Sequence, residues 1–166
     1  MKRIVLIGFM GAGKTTIGKR LAKALSCEMI DTDELIEEKQ GRKIAEIFEK
    51  DGEEAFRDME TLLLKELTER EEPFVLSVGG GMPVREENRA LLRKIGTVVY
   101  LKASKKELIL RLSGDKKRPL LQGGSLEEKI TTLMNQREDI YRETAQVVLL
   151  TDRKYPKEVV KELMNL

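Results

Sequence analysis

The chain has 166 residues with a formal net charge of +2, and 40% of them are hydrophobic, which predicts one domain with a single core. The only cysteine, Cys27, cannot form an internal disulfide, and the absence of histidine excludes His-based triads and His-ligated metals. No apolar run reaches the ~18 residues of a membrane span. Positive and negative side chains are nearly equal in number, which does not suggest a general nucleic-acid binder. We therefore expect a cytoplasmic enzyme or switch that binds neither membranes nor nucleic acid.

Hydrophobic patterning predicts strands that alternate with helices along the chain. Residues 3–8 form a continuous, β-branched run, as expected of a strand buried on both faces, and residues 15–25 follow with helical periodicity. The further predicted strands cover 28–30, 74–78, 97–101 and 146–150. The further predicted helices cover 34 to about 70, with breaks at Gly41 and at Asp51-Gly52, then 86–94, 105–112, 125–142 and a last helix opened by Pro156. This alternation predicts one α/β domain over residues 1–166, with a five-stranded parallel sheet flanked by helices.

Residues 8–15 (GFMGAGKT) match the pattern G-x-x-x-x-G-K-[ST] between a predicted strand and a predicted helix. Glycines let successive backbone N–H groups point at one anion, and the helix that begins there adds its positive end. Lys14 would contact the β- and γ-phosphates of a nucleoside triphosphate, and Thr15 would offer its hydroxyl to Mg²⁺. The alternative is a glycine-rich turn with an incidental lysine. The strand–loop–helix context favours the nucleotide site.

Other segments narrow the class of nucleotide-binding protein. No Asn-Lys-x-Asp segment for reading guanine is present, and 166 residues leave little room for the apparatus of a motor ATPase. The strand that ends at Val78 leads into three glycines at 79–81 instead of an aspartate, so the metal carboxylate must come from elsewhere. Asp31, at the end of the second predicted strand, is the best-placed candidate.

Five segments occur together in an order and spacing that resembles the shikimate kinase family. They are residues 8–15, Asp31-Thr32-Asp33, Phe56-Arg57, Gly79-Gly80-Gly81 and Arg118-Pro119-Leu120-Leu121. The resemblance extends from about residue 3 to about residue 160. It implies a three-layer P-loop kinase fold in which residues 31 to about 62 form a substrate-binding helical insertion. It also implies that a predicted loop at about 113–124, which contains Lys116-Lys117-Arg118, is a flexible lid over ATP.

The resemblance further implies a role for each matching residue. ATP, the cosubstrate, would bind at Gly11, Ala12, Gly13, Lys14, Thr15, Thr16, Arg111, Arg118 and Arg153, with Arg111 and Arg153 near adenine. Mg²⁺ would lie by Thr15 and Asp31. Shikimate would be bound by Asp33, Arg57, Gly79, Gly80, Gly81 and Arg137, because the two arginine forks suit its carboxylate. The catalytic residues would be Lys14, Asp33 and Arg118, with Asp33 as the candidate base for the 3-hydroxyl.

Alternative interpretations remain open at this point. Asp31 or Asp33 could cap the helix from Glu34, Arg57 could belong to a solvated helix face, and the three glycines could form a plain turn. A kinase for gluconate or a nucleoside monophosphate, and a nucleotide-dependent switch, are the rival functions. Met10 stands where the family often has proline or another residue, at a position expected to face away from phosphate chemistry. We favour a monomeric kinase that makes shikimate 3-phosphate and ADP.

Overall fold

The computed structural model describes residues 3–113 and 124–166, and these contain five strands and eight α-helices. In chain order they are β1 (Ile4–Ile7), α1 (Lys14–Ala24), β2 (Glu28–Asp31), α2 (Thr32–Gln40), α3 (Ile44–Asp51), α4 (Glu53–Thr68), β3 (Phe74–Ser77), α5 (Glu86–Ile95), β4 (Thr97–Lys102), α6 (Lys105–Leu112), α7 (Leu126–Thr144), β5 (Val147–Leu150) and α8 (Pro156–Met164). A 3₁₀ turn at Met82–Val84, which no sequence pattern predicts, joins the three glycines to α5.

All five strands belong to one parallel sheet with the order β2-β3-β1-β4-β5. In the central strand, Ile4 lies opposite Val75 of β3 and Thr97 of β4. Parallel strands place their carboxyl ends at one edge, where ligands bind in open α/β sheets. The phosphate-binding loop after β1, Asp31 at the end of β2 and the glycines after β3 therefore meet at this edge.

Apolar side chains cover both faces of the sheet. In β1, Val5 and Ile7 belong to one core cluster, whereas Ile4 and Leu6 belong to the other. The first cluster contains residues from α2 to α7, and the second contains residues from α1 and α8. Because both faces of β1 are covered, its sequence is a continuous apolar run rather than an alternating one. The two helix layers and the sheet give the predicted three-layer arrangement.

The helical region after β2 has the two predicted breaks. Gly41 follows α2 with a φ of 64°, and Gly52 separates α3 from α4 with a φ of 91°. Both angles lie in the left-handed region that favours glycine. Helix α2 begins at Thr32, before the predicted start at Glu34, because the carboxylate of Asp31 caps its first turn.

The remaining expectations about organisation concern the lid and the membrane. The lid predicted at about 113–124 lies outside the described residues apart from its two ends, and Arg118 lies outside them too. Within residues 3–113 and 124–166, every helix is too short or too polar to cross a bilayer.

Candidate active site

The predicted phosphate-binding loop joins β1 to α1 around the buried side chain of Lys14. Lys14 Nζ donates hydrogen bonds to the carbonyls of Gly8 (2.7 Å) and Phe9 (3.0 Å). Gly13 has a φ of 93°, a left-handed conformation from which the loop turns directly into α1. A cavity of about 240 Å³ lies over the loop and the first turn of this helix. The cavity is therefore lined by an ammonium group and a helix N-terminus, which suits a phosphate chain.

Thr15 and Asp31, which the family resemblance assigns to Mg²⁺, lie in direct contact. The Thr15 hydroxyl donates to Asp31 Oδ2 over 2.8 Å, and Asp31 Oδ1 accepts the N–H of Glu34 over 3.1 Å. Asp31 thus caps α2, as one interpretation of the sequence held, while its second oxygen faces the phosphate-binding loop. A hydroxyl beside a carboxylate offers the hard oxygen ligands that Mg²⁺ prefers, so the pair fits this ion.

Each glycine of the 79–81 turn lies against one charged group that the sequence assigns to the site. A Cβ would lie 2.8 Å from Asp33 Oδ1 if placed on Gly79, 3.3 Å from Arg137 Nη1 if placed on Gly80, and 2.3 Å from Arg57 Nη2 if placed on Gly81. None of the three has a left-handed φ. Close approach of neighbouring side chains, rather than backbone conformation, therefore favours glycine here, most strongly at Gly79 and Gly81. A plain turn would not explain this packing.

Arg57 lies on the buried face of α4 and not on its solvated face, because only 9% of its surface is exposed. Its Nη1 donates to Glu60 Oε1 over 2.6 Å, and its Nε lies 3.5 Å from Glu53 Oε2. Its Cζ lies 5.2 Å from the ring centroid of Phe56, within the range of a cation–π contact. The solvated-face interpretation is therefore wrong, because the guanidinium is held at the cavity wall.

Glu60 belongs to this site although no sequence pattern singles it out. Its side chain is 0% exposed, and Oε2 has no hydrogen-bond partner among the described residues. Burial raises the pKa of Glu60 to about 7, even though the charge and hydrogen bond of Arg57 act in the opposite direction. The available signal was its i+3 spacing from Arg57 on one helix, but such pairs are common on exposed helices.

Arg137 approaches the glycine turn from α7, at Gly80, whereas Arg57 approaches it at Gly81. Arg137 is 4% exposed, and its Nη1 has no hydrogen-bond partner among the described residues. One helical turn later, the buried Tyr141 donates its hydroxyl to the carbonyl of Gly80 over 2.6 Å. A buried guanidinium N–H without an acceptor is costly, and an anionic ligand at this position would satisfy it.

These charged groups line a second cavity, of about 310 Å³. Its wall also includes the apolar side chains of Ile44, Phe48 and Phe56, of which the sequence analysis singled out only Phe56. The residues that line both cavities are Met10, Thr15, Asp31, Asp33, Gly79 and Gly80. A group that passes from a ligand in one cavity to a ligand in the other would cross between these residues.

The expectation that Met10 faces away from phosphate chemistry is wrong, because Met10 lines both cavities and packs against the first core cluster.

Arg111 donates from Nη1 to the carbonyl of Gly11 over 3.1 Å and pairs through Nε with Glu107, which places it at the rim of the phosphate-binding loop. Arg153 is exposed after β5, with a φ of 59°. Neither Arg111 nor Arg153 lines either cavity.

The model of the family named shikimate kinase matches residues 10–166. This chain belongs to the shikimate kinase family. The shikimate kinase of Chromohalobacter salexigens is 47% identical over 162 residues, which cover 98% of this chain and 89% of that protein. The shikimate kinase of Enterococcus faecalis is 46% identical over 167 residues, which cover 99% of this chain and 98% of that protein.

Solved shikimate kinases have the same architecture. The shikimate kinase from Acinetobacter baumannii in complex with shikimate superposes with a TM-score of 0.95 at 41% identity, covering 99% of this chain and 92% of that one. A gluconokinase from Sinorhizobium meliloti has a TM-score of 0.64 at 19% identity, covering 99% and 90%, which shows a shared fold alone. The predicted P-loop kinase fold is confirmed, and the chain is an ATP-dependent kinase of the shikimate kinase family.

Proposed function

We propose that this chain transfers the γ-phosphate of ATP to the 3-hydroxyl of shikimate, giving shikimate 3-phosphate and ADP. The observation that carries the proposal is the junction of the two cavities at Thr15, Asp31, Asp33, Gly79 and Gly80. One cavity adjoins a phosphate-binding loop, and the other is lined by two buried arginines. Both ligands would therefore meet at Asp33, a carboxylate suited to take a proton from a hydroxyl, whereas the oxygens of Asp31 already accept from Thr15 and from the N–H of Glu34.

The acceptor cavity matches a small ring that carries one carboxylate and several hydroxyls. Arg57 and Arg137 bring two guanidinium groups to it, and Glu60, which is paired with Arg57, lines it together with the carboxyl groups of Asp31, Asp33, Glu34 and Glu37. The guanidinium groups can donate to a carboxylate, and the carboxylates can accept from hydroxyls. Arg137 Nη1, buried without an acceptor among the described residues, would donate to the carboxylate. The apolar wall of Ile44, Phe48 and Phe56 would pack against the ring. Gluconate lacks such a ring, and a nucleotide base would need polar partners on this wall.

The chain's own groups account for the transfer step. Asp33 takes the proton of the 3-hydroxyl as its oxygen forms a bond to the γ-phosphorus. The bond from that phosphorus to the β,γ-bridging oxygen breaks, and ADP carries away the electron pair. Lys14, held in place by two loop carbonyls, stabilises the charge on the transferring group. Arg118, which lies outside the described residues, is proposed to add a second charge.

The nucleotide and metal assignments complete the proposal. The backbone of Gly11, Ala12 and Gly13 and the residues Lys14, Thr15 and Thr16 would bind the phosphates, with Arg111 and Arg153 near adenine. Thr15 and Asp31 would hold Mg²⁺, which when bound neutralises charge on the phosphates. We also propose that the enzyme acts as a monomer in the cytoplasm, with residues 31 to about 62 as its substrate-binding region and about 113–124 as its lid.

The test of the acceptor is ADP release from Mg²⁺·ATP in the presence of shikimate, quinate, gluconate or AMP. We expect turnover that depends on shikimate, and loss of that turnover in Lys14→Met. Better turnover with gluconate or AMP would overturn the acceptor while leaving a kinase. Tight ATP binding without turnover on any acceptor would favour a nucleotide-dependent switch.

A separate test addresses the metal. Asp31→Asn keeps an oxygen that can cap α2 but removes the negative charge beside Thr15. We expect unchanged thermal stability and an increase of about tenfold in the Mg²⁺ concentration needed for half-maximal activity. An unchanged Mg²⁺ requirement would remove Asp31 from the metal site.

A further inference from the structure

The Tyr141 hydroxyl reaches from α7 to the backbone of the glycine turn. Tyr141 is 1% exposed and lines neither cavity, yet its hydroxyl donates to the carbonyl of Gly80 over 2.6 Å. It lies one helical turn after Arg137, so the two side chains project from the same face of α7. A Cβ on Gly80 would lie 3.4 Å from the Tyr141 oxygen and 3.3 Å from Arg137 Nη1. The phenol and the guanidinium therefore pack against the same backbone position.

Two other hydrogen bonds, both at Gly79, connect the glycine turn to its neighbours. The N–H of Gly79 donates to Thr32 Oγ1 over 3.1 Å, and the N–H of Met82 donates to the carbonyl of Gly79 over 3.1 Å. These bonds tie the turn to α2 and to the 3₁₀ turn. The bond from Tyr141 ties the middle of the turn to α7, which carries Arg137.

We propose that Tyr141 is a positioning residue for the acceptor: its hydroxyl fixes the Gly80 carbonyl and thereby sets the distance between the glycine turn and Arg137. This inference rests on the proposed function, because the turn and Arg137 are the groups assigned to the acceptor. The hydroxyl also interacts directly with Arg137, through its charge and a side-chain hydrogen bond. With the phenol removed, the Gly80 carbonyl would lose its donor and the guanidinium a neighbouring polar partner, so the two would no longer be held relative to each other.

The surroundings of Tyr141 suit a permanent donor. Burial raises its pKa to about 12, although the charge and hydrogen bond of Arg137 and the charge of Arg57 oppose this shift, so the phenol stays protonated at any working pH. The ring of Tyr100 packs against it with centroids 5.1 Å apart, and the Tyr100 hydroxyl donates to Glu138. Glu138 in turn pairs with Lys102 and Arg142, which anchors the two rings to β4 and α7.

The two tyrosines provide a matched pair of variants. Tyr141→Phe and Tyr100→Phe each delete one hydroxyl from one of two packed rings, but only the first releases the glycine turn. In Tyr141→Phe we expect the KM for shikimate to rise about tenfold, the size expected when a buried carbonyl loses its donor, with the KM for ATP unchanged within about twofold. In Tyr100→Phe we expect both KM values to stay within about twofold of wild type, because Glu138 keeps its two cationic partners.

A measurement without substrate separates this inference from the proposed function. Amide hydrogen exchange of residues 79–84 should become faster in Tyr141→Phe and stay at the wild-type rate in Tyr100→Phe. If wild type shows no shikimate-dependent turnover, the proposed function fails, and the exchange result alone decides whether Tyr141 holds the turn. Unchanged exchange, or equal KM changes for shikimate and ATP, would overturn the positioning role.

Discussion

The acceptor side and the nucleotide side of this site hold their arginines in different ways. Arg57 and Arg137 are nearly buried, each presses against a glycine of the turn, and Arg57 is paired with a fully buried carboxylate. Arg111 has 31% of its side chain exposed and is held by one loop carbonyl and one partly exposed glutamate. On the proposed function, recognition on the acceptor side would depend on buried, preorganised charges, which act more strongly than exposed ones. The nucleotide side would depend mainly on the backbone and lysine of its loop.

The largest expected effect comes from the buried side. Arg137→Met removes a buried charge but keeps a side chain of similar length. We therefore expect kcat/KM for shikimate to fall roughly a thousandfold. Steady-state kinetics with each substrate varied in turn would measure this, and the KM for ATP should stay within about twofold. A fall of less than about tenfold for shikimate would remove Arg137 from the carboxylate clamp.

The buried carboxylate should give the protein an unusual pH dependence. The raised pKa of Glu60, about 7, means that the folded chain binds more protons than the unfolded chain between pH 4.5 and 7. Burial is the largest cause of this shift, and Asp33 adds to it, whereas the charges of Arg57 and Arg137 lower the pKa of Glu60 without reversing the net rise. The contribution of Glu60 to stability therefore falls as the pH rises through this window. From pH 4.5 to 8, the free energy of unfolding of wild type should decline by about 3 kcal/mol relative to Glu60→Gln.

Chemical denaturation at several pH values would test that prediction, with Glu53→Gln as the control. Glu53 contacts the same arginine but is half exposed. We therefore expect the stability of Glu53→Gln to depend on pH in the same way as that of wild type. Parallel stability curves for wild type and Glu60→Gln would show that Glu60 titrates in its ordinary range.

A smaller effect is expected from crowding the glycine turn. Gly81→Ala would place a methyl group 2.3 Å from Arg57 Nη2, so the guanidinium must move and the KM for shikimate should rise about tenfold. Gly41→Ala is the matched control, since Gly41 has a φ of 64° and open space around its Cα. That control should lose about 1 kcal/mol of stability with no change in KM. Equal KM values in the two variants would contradict the close-approach explanation.

The smallest effect should come from the exposed arginine. Arg111→Met should raise the KM for ATP only about threefold, because partly solvated ion pairs contribute little, and should leave the KM for shikimate unchanged. The small effect of Arg111→Met on ATP and the large effect of Arg137→Met on shikimate would together measure the difference between the two sides. A change of a hundredfold for Arg111→Met would show that the nucleotide side is preorganised as strongly as the acceptor side.

The sequence predicts those features that depend on short segments near strand ends. The phosphate-binding loop, Asp31 and the three glycines each follow a recognisable strand, so their meeting at one sheet edge follows from parallel topology. The burial of Arg57 could not be predicted, because the charges along α4 are typical of a solvated helix. One contact of the buried guanidinium is with the turn at Gly81, which lies far from it in the sequence. The bond between Tyr141 and Gly80, 61 residues apart, likewise has no local signature.

The contacts of the glycine turn also bear on inhibition of this enzyme. A compound that bound the backbone of residues 79–81 would rest on three positions where any side chain crowds Asp33, Arg137 or Arg57. Resistance commonly arises when a substitution adds bulk where an inhibitor binds. Here added bulk would displace a group that we assign to the natural acceptor, so an escape variant at these positions should also bind its substrate more weakly.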